Sequence, residues 1–132
     1  MTPPRYVSAA EVVAYHRALL SAQGQPEAPL IHPDNLDAAI ARPRATAFGA
    51  ELFGSLAEKA AALLQAIVVA HPFLDGNKRA GLGAMLLFLE LNGVDRKANE
   101  DSLYELVMSV AAGELRDVGE IANRIRDLLA SD

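Results

Sequence analysis

The sequence contains no cysteine and no tryptophan, and aromatic residues make up only 5% of its 132 positions. The absence of cysteine excludes disulfide bonds, thiolate catalysis and zinc–thiolate sites, and it fits a reducing cytoplasm. The net charge of −5 argues against direct nucleic-acid binding, because a phosphate backbone requires a basic surface. The longest apolar run, residues 60–70, is too short to span a bilayer, and no segment resembles a signal peptide. We therefore expect a cytoplasmic protein with no membrane partner.

Alanine and leucine dominate the 52% of residues that are hydrophobic, and this composition favours helices. The length fits one domain with a single hydrophobic core, so we predict one domain over residues 1–132 with a flexible N-terminal tail at residues 1–5. No stretch alternates between apolar and polar residues as a half-buried strand would. The predicted fold class is all-α: a compact bundle of about six helices around a central apolar helix.

Capping residues and prolines set the predicted helix boundaries. Ser8-Ala-Ala-Glu11 is a capping box, Pro33 suits the first turn of a helix, and Ser55 can cap another. The fourth helix is apolar on nearly every side, which predicts that it is the buried central one. The segment 44–54 is predicted to be irregular, and the helices are predicted at about residues 9–22, 33–42, 55–71, 77–92, 99–112 and from 117 onward.

The segment from His71 to Gly81 carries most of the chemistry that this chain offers. Pro72 should end the third helix near His71, because the residue before a proline is pushed out of the α region. Asp75-Gly76-Asn77 is typical of a turn whose asparagine caps the next helix. Lys78 and Arg79 then lie in the first helical turn, where cations oppose the helix macrodipole. This unfavourable placement of charge indicates a function.

Free backbone N–H groups and two cations at one helix start form a receptor for a multiply charged anion, most plausibly phosphate. Asp75 offers a hard oxygen ligand for magnesium, and His71 can accept a proton at neutral pH. Together they indicate a nucleotide-using transferase. Each residue alone has a plainer interpretation, since Asp-Gly-Asn is a common turn and Lys78-Arg79 is a common solvated pair.

The order His-Pro-Phe-x-Asp-Gly-Asn-Lys-Arg resembles the central motif of the Fic/Doc superfamily, His-x-Phe-x-(Asp/Glu)-(Gly/Ala)-Asn-(Gly/Lys)-Arg. Every specified position from His71 to Arg79 matches. Lys78 stands where AMP-transferring Fic enzymes carry glycine, and it resembles the Doc (death-on-curing) branch. Looser similarity to Doc proteins extends over Ser-Ala-Ala-Glu at 8–11, Asp-Asn-Leu-Asp-Ala-Ala-Ile at 34–40 and Leu-Leu-Phe-Leu-Glu-Leu-Asn-Gly at 86–93.

The favoured interpretation gives each motif residue a role. His71 is the catalytic residue, which removes a proton from an attacking protein hydroxyl. Asp75 holds Mg²⁺ against the phosphates of ATP. Phe73 is a buried anchor of the loop. The remaining four residues bind the nucleotide: the backbone N–H groups of Gly76 and Asn77 and the Asn77 side chain cradle phosphate oxygens, while Lys78 and Arg79 neutralise the charge that moves during transfer.

The resemblance further implies a toxin of a type II toxin–antitoxin system. In the Doc branch the lysine crowds the anion hole, the nucleotide binds in the reverse sense and the γ-phosphate of ATP is transferred. The implied target is elongation factor Tu, with arrest of translation, and the implied inhibitor is a Phd-like antitoxin. Pro72 and Gly76 are more typical of Fic proteins, so an AMP transferase is an alternative. A non-catalytic helical binding module is another.

Other residues carry weaker signals. His16 and His32 lack acidic partners at metal-binding spacing and are interpreted as surface or packing residues. Arg42 and Arg44 are interpreted as solvated charge or as part of a target-docking flap. In the fourth helix we expect Gly83 to permit close helix packing, whereas Gly81 suits either packing or the approach of a ligand.

Overall fold

The computed structural model describes residues 3–94 and 97–130, and within these ranges the chain folds as a bundle of six helices. The prediction of an all-α fold is confirmed. A single 3-10 turn at Arg42–Arg44 and a small antiparallel hairpin interrupt the bundle. The helices are α1 (Ala9–Ala22), α2 (Pro33–Ala41), α3 (Leu56–Ala70), α4 (Asn77–Leu91), α5 (Glu100–Ala111) and α6 (Val118–Ala130), and the strands are β1 (Thr46–Ala47) and β2 (Ala50–Glu51).

The helix starts follow the capping chemistry that the sequence predicts. At α1 the Ser8 hydroxyl accepts a hydrogen bond from the Glu11 N–H at 3.1 Å, and the Glu11 carboxylate accepts one from the Ser8 N–H at 2.9 Å. Ser55 caps α3 and Asn99 caps α5 through side-chain oxygens that accept the backbone N–H of the third helical residue, Glu58 and Ser102. Pro33 is the first residue of α2. These caps explain why the predicted boundaries agree with the structure.

The centre of the bundle is a pair of helices rather than α4 alone. α3 packs against α2, α4, α5 and α6, and α4 packs against α1, α3 and α5. Both helices bury residues along most of their length. The loop between them therefore starts and ends on the two most firmly held elements of the fold. In the part of the chain that the structure describes, no helix is long and apolar enough to cross a membrane.

Glycines let α4 approach its neighbours closely. A Cβ atom built on Gly81 would lie 2.8 Å from Cγ2 of Val68 and 3.3 Å from the backbone carbonyl oxygen of Leu64, both on α3. A Cβ atom on Gly83 would overlap the ring of Tyr15 on α1. The predicted packing role of Gly83 is confirmed, and the two interpretations of Gly81 resolve in favour of packing.

We expect Gly81→Ala to lower the free energy of unfolding by about 1 kcal/mol, because overpacking costs about 1–3 kcal/mol and the helix preference of alanine returns up to 1 of it. In a Val68→Ala background the same change should become neutral or stabilising. Urea unfolding of the two single variants and the double variant measures this coupling. Gly54→Ala, where the added Cβ meets nothing within 4 Å, is the matched control. Strictly additive effects would contradict the contact.

The hairpin of β1 and β2 lies in the segment that the sequence predicts to be irregular. Its turn residues Phe48 and Gly49 have φ angles of 53° and 80°, as a two-residue turn of type I′ requires. Asn-Gly and Asp-Gly are the usual sequence signals of such a turn, and this chain has neither there. The strands are also only two residues long. The Phe48 side chain at the tip is fully exposed. Neither the turn type nor the strands carry a recognisable sequence signal, which explains the missed prediction.

A buried lysine ties the base of the hairpin to α3. Lys59 is 1% exposed, and its ammonium donates to the Pro43 carbonyl and to Oε1 of Glu51, each at 3.2 Å. The Arg44 guanidinium carbon lies 4.9 Å from the centroid of the Tyr6 ring, and the Lys59 ammonium nitrogen lies 5.7 Å from the same centroid. The interpretation of Arg44 as solvated charge is therefore incomplete, since its head group stacks on an aromatic face.

The N-terminal segment is attached to the end of α4. The Asn92 side chain accepts a hydrogen bond from the Arg5 N–H at 2.9 Å and donates one to the Arg5 carbonyl at 2.8 Å. Within the predicted flexible tail at residues 1–5, the backbone N–H and carbonyl of Arg5 are therefore both bonded to the Asn92 side chain. Met1 and Thr2 lie outside the described residues.

Candidate active site

The motif loop, which we define as residues 71–76, joins the end of α3 to the start of α4. α3 ends at Ala70, and His71 follows it in the left-handed region with φ 49° and ψ 56°. Pro72 thus ends the helix where the sequence predicts. The residue before the proline leaves the α region by entering the left-handed region rather than the commoner extended one. This sharp turn leaves the His71 side chain exposed.

A short segment before α2 holds the motif loop in an extended, strand-like contact. The N–H groups of Ile31 and His32 donate to the Pro72 carbonyl at 2.8 and 2.9 Å, and the Leu74 N–H donates to the Pro29 carbonyl at 3.0 Å. Leu30 and Phe73 face each other across this contact as an isolated antiparallel bridge. Three hydrogen bonds therefore fix the loop independently of the helices that it connects.

The Asn77 side chain fixes the loop from within. Its Oδ1 accepts from the Phe73 N–H and its Nδ2 donates to the Phe73 carbonyl, both at 2.9 Å. Asn77 is 8% exposed, and its amide pairs with both the N–H and the carbonyl of Phe73. The side chain therefore does not cap α4, and that prediction is wrong, whereas its contact with a phosphate stays a prediction. Gly76, with φ 79°, is the N-cap, so Asn77 already lies inside the helix.

Phe73 is the buried anchor that the sequence predicts, with 2% of its surface exposed. The imidazole of His16, on α1, stacks on its ring with centroids 3.8 Å apart and planes 17° apart. His16 is also 2% exposed, and its Nε2 lies 2.8 Å from the Asp75 carbonyl. Sequence reasoning treats His16 as surface or packing and misses this hydrogen bond. The available signal was its spacing of four from Val12 and from Leu20, both buried.

The first turn of α4 presents two cations beside free backbone donors. Lys78 and Arg79 are exposed, and within the described ranges neither makes an ion pair. The N–H groups of Asn77, Lys78 and Arg79 have no acceptor inside the helix, as at any helix start. The Gly76 N–H, predicted to cradle phosphate, donates instead to Oδ1 of Asp75 at 2.8 Å. The N–H groups that lack an acceptor thus belong to the first turn of α4, where the helix dipole favours an anion.

Asp75 is the candidate magnesium ligand, and its carboxylate is exposed. Oδ1 accepts the Gly76 N–H, which leaves Oδ2 with no partner in the described part of the chain. Within residues 3–94 and 97–130, no three His, Asp or Glu side chains gather as a protein-only metal centre would require. A lone carboxylate nevertheless fits magnesium, which is usually held by one or two carboxylates together with substrate phosphates. The residues fit a metal ion that arrives with a nucleotide.

His71 completes the set of exposed side chains around the loop. No hydrogen bond or ion pair engages its imidazole in the residues that the structure describes. An imidazole is the side chain best suited to accept a proton near neutral pH. The motif loop and the first turn of α4 therefore carry an exposed imidazole, an exposed carboxylate and two exposed cations, side-chain types that phosphoryl- and nucleotidyl-transfer enzymes use.

Comparison with known proteins agrees with this geometry. The model of the Fic/DOC family matches residues 6–89. Toxin Doc from Mycolicibacterium smegmatis is 40% identical over 97 residues, which cover 73% of this chain and 75% of that protein. Protein kinase doc from Escherichia phage P1 is 34% identical over 127 residues, which cover 96% of this chain and 98% of that protein.

These matches and the bundle with its motif loop define the class of protein. The chain belongs to the Fic/Doc family, in its Doc branch.

Proposed function

We propose that this protein is the toxin of a type II toxin–antitoxin system that transfers the γ-phosphate of ATP to a hydroxyl group of a protein. Its substrate is elongation factor Tu, and the result is arrest of translation. The observation that carries the proposal is at the start of α4, where Lys78 and Arg79 have no ionic partner among the described residues and follow the Asp75 carboxylate and N–H groups without a helical acceptor. The names of the two relatives, Toxin Doc and Protein kinase doc, support the same chemistry.

In the proposed reaction His71 removes the proton from the attacking hydroxyl. The hydroxyl oxygen forms a bond to the γ-phosphorus, the bond from that phosphorus to the β,γ-bridging oxygen breaks, and ADP leaves with the bonding electrons. Lys78, Arg79 and the N–H groups of their helical turn hold the phosphate oxygens and offset the charge that shifts between them. Magnesium held at Asp75 would supply further positive charge to the phosphates. Such a site works mainly by positioning and electrostatic stabilisation.

AMP transfer is the second candidate. Gly76, at φ 79°, allows a tight turn into α4, and together with Pro72 it makes the motif similar to that of AMP-transferring Fic proteins. AMP transfer would form the new bond at the α-phosphorus and release pyrophosphate. The two reactions use the same base and the same anion receptor and differ in which way the nucleotide lies.

Incubation with elongation factor Tu and ATP labelled separately at the α- and γ-phosphates distinguishes these functions. Label from the γ-phosphate on the target supports phosphate transfer, and label from the α-phosphate supports AMP transfer. A protein with neither activity in the presence of magnesium would be a non-catalytic binding module. Label from the α-phosphate without label from the γ-phosphate would overturn the proposal.

We expect Lys78→Gly to reduce γ-phosphate transfer by at least roughly tenfold, because the variant loses a cation at the phosphate site and reopens the space that the lysine occupies. Transfer from the α-phosphate should appear or increase. The same labelled-ATP assay measures both activities. Lys97→Gly removes an exposed lysine outside the motif and serves as the matched control. Undiminished γ-transfer by Lys78→Gly would contradict the proposal that this side chain selects the reaction.

The proposed toxin needs an antitoxin, and we propose a Phd-like protein whose disordered C-terminal segment folds against this chain. Both proteins would act in the cytoplasm, where elongation factor Tu works. Expression of this chain alone should arrest bacterial growth, and coexpression of the neighbouring small gene should relieve the arrest. Relief by an unrelated expressed protein would argue against a specific antitoxin.

A further inference from the structure

One buried side chain outside the motif lies against three residues of the motif loop. The His16 ring stacks on Phe73, its Nε2 meets the Asp75 carbonyl at 2.8 Å, and it fills the space that a side chain at Gly76 would need. A Cβ atom at position 76 would lie 2.9 Å from the same Nε2. His16 belongs to α1, which also packs against α4 through Tyr15 and Gly83. It is therefore held by a different element from those that carry the loop.

We propose that His16 is a positioning residue that fixes the main chain of Asp75 and so aims its carboxylate. A carbonyl oxygen can only accept, so Nε2 carries the hydrogen in this contact. The carboxylate of the same residue is held by the Gly76 N–H at 2.8 Å. Asp75 is thus fixed at its carbonyl by His16 and at Oδ1 by the next residue, which leaves Oδ2 oriented for a cation.

The bond matters because, within the described ranges, no other hydrogen bond ties Asp75 to a distant element. Leu74 is tied to Pro29 through its N–H, and Phe73 is tied to Asn77. Between Leu74 and the start of α4, the His16 bond is the one long-range hydrogen bond within the described ranges. Without it, this peptide would be free to rotate while the rest of the loop kept its shape. Only a fraction of the molecules would then hold the Asp75 carboxylate in the orientation that binds the metal ion. The apparent affinity for the nucleotide would fall in proportion to that fraction.

Two variants separate the hydrogen bond from the packing. His16→Phe keeps an aromatic ring for Phe73 but has no donor, whereas His16→Gln places an N–H at a similar reach without the ring. His16→Leu is a smaller variant without a donor, for use if phenylalanine is too large beside Gly76. His32→Phe makes the same change at an exposed imidazole. Thermal unfolding of each variant reports whether the whole fold, rather than the loop, has changed.

The first readout is amide hydrogen exchange without any ligand. We expect the peptide covering residues 72–79 to exchange roughly fivefold faster in His16→Phe than in wild type, as loss of one net hydrogen bond implies. Exchange in α3 should stay unchanged, and His16→Gln should remain within about twofold of wild type. Equal exchange in the phenylalanine and glutamine variants would overturn the inference, because the donor would then have no separate role.

The second readout is binding of a fluorescent ATP analogue with magnesium and with EDTA. This step rests on the proposed nucleotide function, whereas hydrogen exchange does not, so the two proposals can fail separately. We expect His16→Phe to weaken binding roughly fivefold with magnesium and to leave binding in EDTA nearly unchanged, with glutamine restoring most of the loss. Equal weakening in both conditions would overturn a role through Asp75. No binding by wild type would count against the proposed function alone.

Discussion

Replacement of His71 by alanine is expected to abolish growth arrest in bacteria that lack the antitoxin. Phosphate transfer to elongation factor Tu should fall by about 100-fold to 10,000-fold, the usual contribution of a general base. The expectation follows from the exposed imidazole at the end of α3, in the loop that leads into the proposed phosphate site of α4. ATP binding should change little, because the histidine is proposed to act on the attacking hydroxyl and not on the nucleotide. Single-turnover assays together with binding measurements separate the two effects.

The backbone at this position calls for a careful control. His71 has φ 49°, a region that asparagine tolerates better than alanine. His71→Asn therefore removes the base with the least backbone strain, and it should be as inactive as the alanine variant. His32→Ala should remain toxic, since its imidazole lies outside the motif loop. Undiminished growth arrest by both His71 variants would refute the assignment of the base.

The second large effect is expected for Asp75→Asn. Loss of the negative charge should lower phosphate transfer by roughly 100-fold or more at fixed magnesium, because the metal ion would lose its protein ligand. Asparagine can still accept the Gly76 N–H through Oδ1, so the loop should keep its shape and the change should isolate the charge. Titration of activity with magnesium measures the effect, and the half-saturating concentration should rise.

Asp37→Asn removes an exposed carboxylate from α2 and provides the matched control. Its magnesium dependence should equal that of wild type. An unchanged magnesium requirement in Asp75→Asn, with normal transfer, would show that this carboxylate does not bind the metal. The result would leave the roles of His71 and of the cations of α4 to be judged by their own variants.

The helices and the position of the candidate site follow from local chemistry and could be predicted. Ser8, Pro33, Ser55 and Asn99 act on backbone groups a few residues away, so their effect is encoded within one turn. The break at Pro72 is equally local. Because all motif residues lie in one loop and the next helical turn, the candidate site could be located from a single stretch of sequence.

The missed features depend on contacts that span the sequence or on unusual backbone conformations. His16 lies 59 positions from Asp75, and no periodicity reveals that its Nε2 will meet that carbonyl. The sequence predicts Asn77 as the N-cap because asparagine is a common cap, yet the left-handed Gly76 takes that position and the Asn77 amide bonds to Phe73. The hairpin at Phe48-Gly49 requires a phenylalanine at positive φ, which residue preferences disfavour.

The inward-facing amide of Asn77 has a consequence for how a ligand would be received. Its two hydrogen bonds to Phe73 are made entirely within the protein, so the receptor keeps its shape before anything binds. A nucleotide would then bind a loop that is already ordered, so binding would not cost the conformational entropy of ordering it. Calorimetry should accordingly give a small heat-capacity change, without the signature of coupled folding.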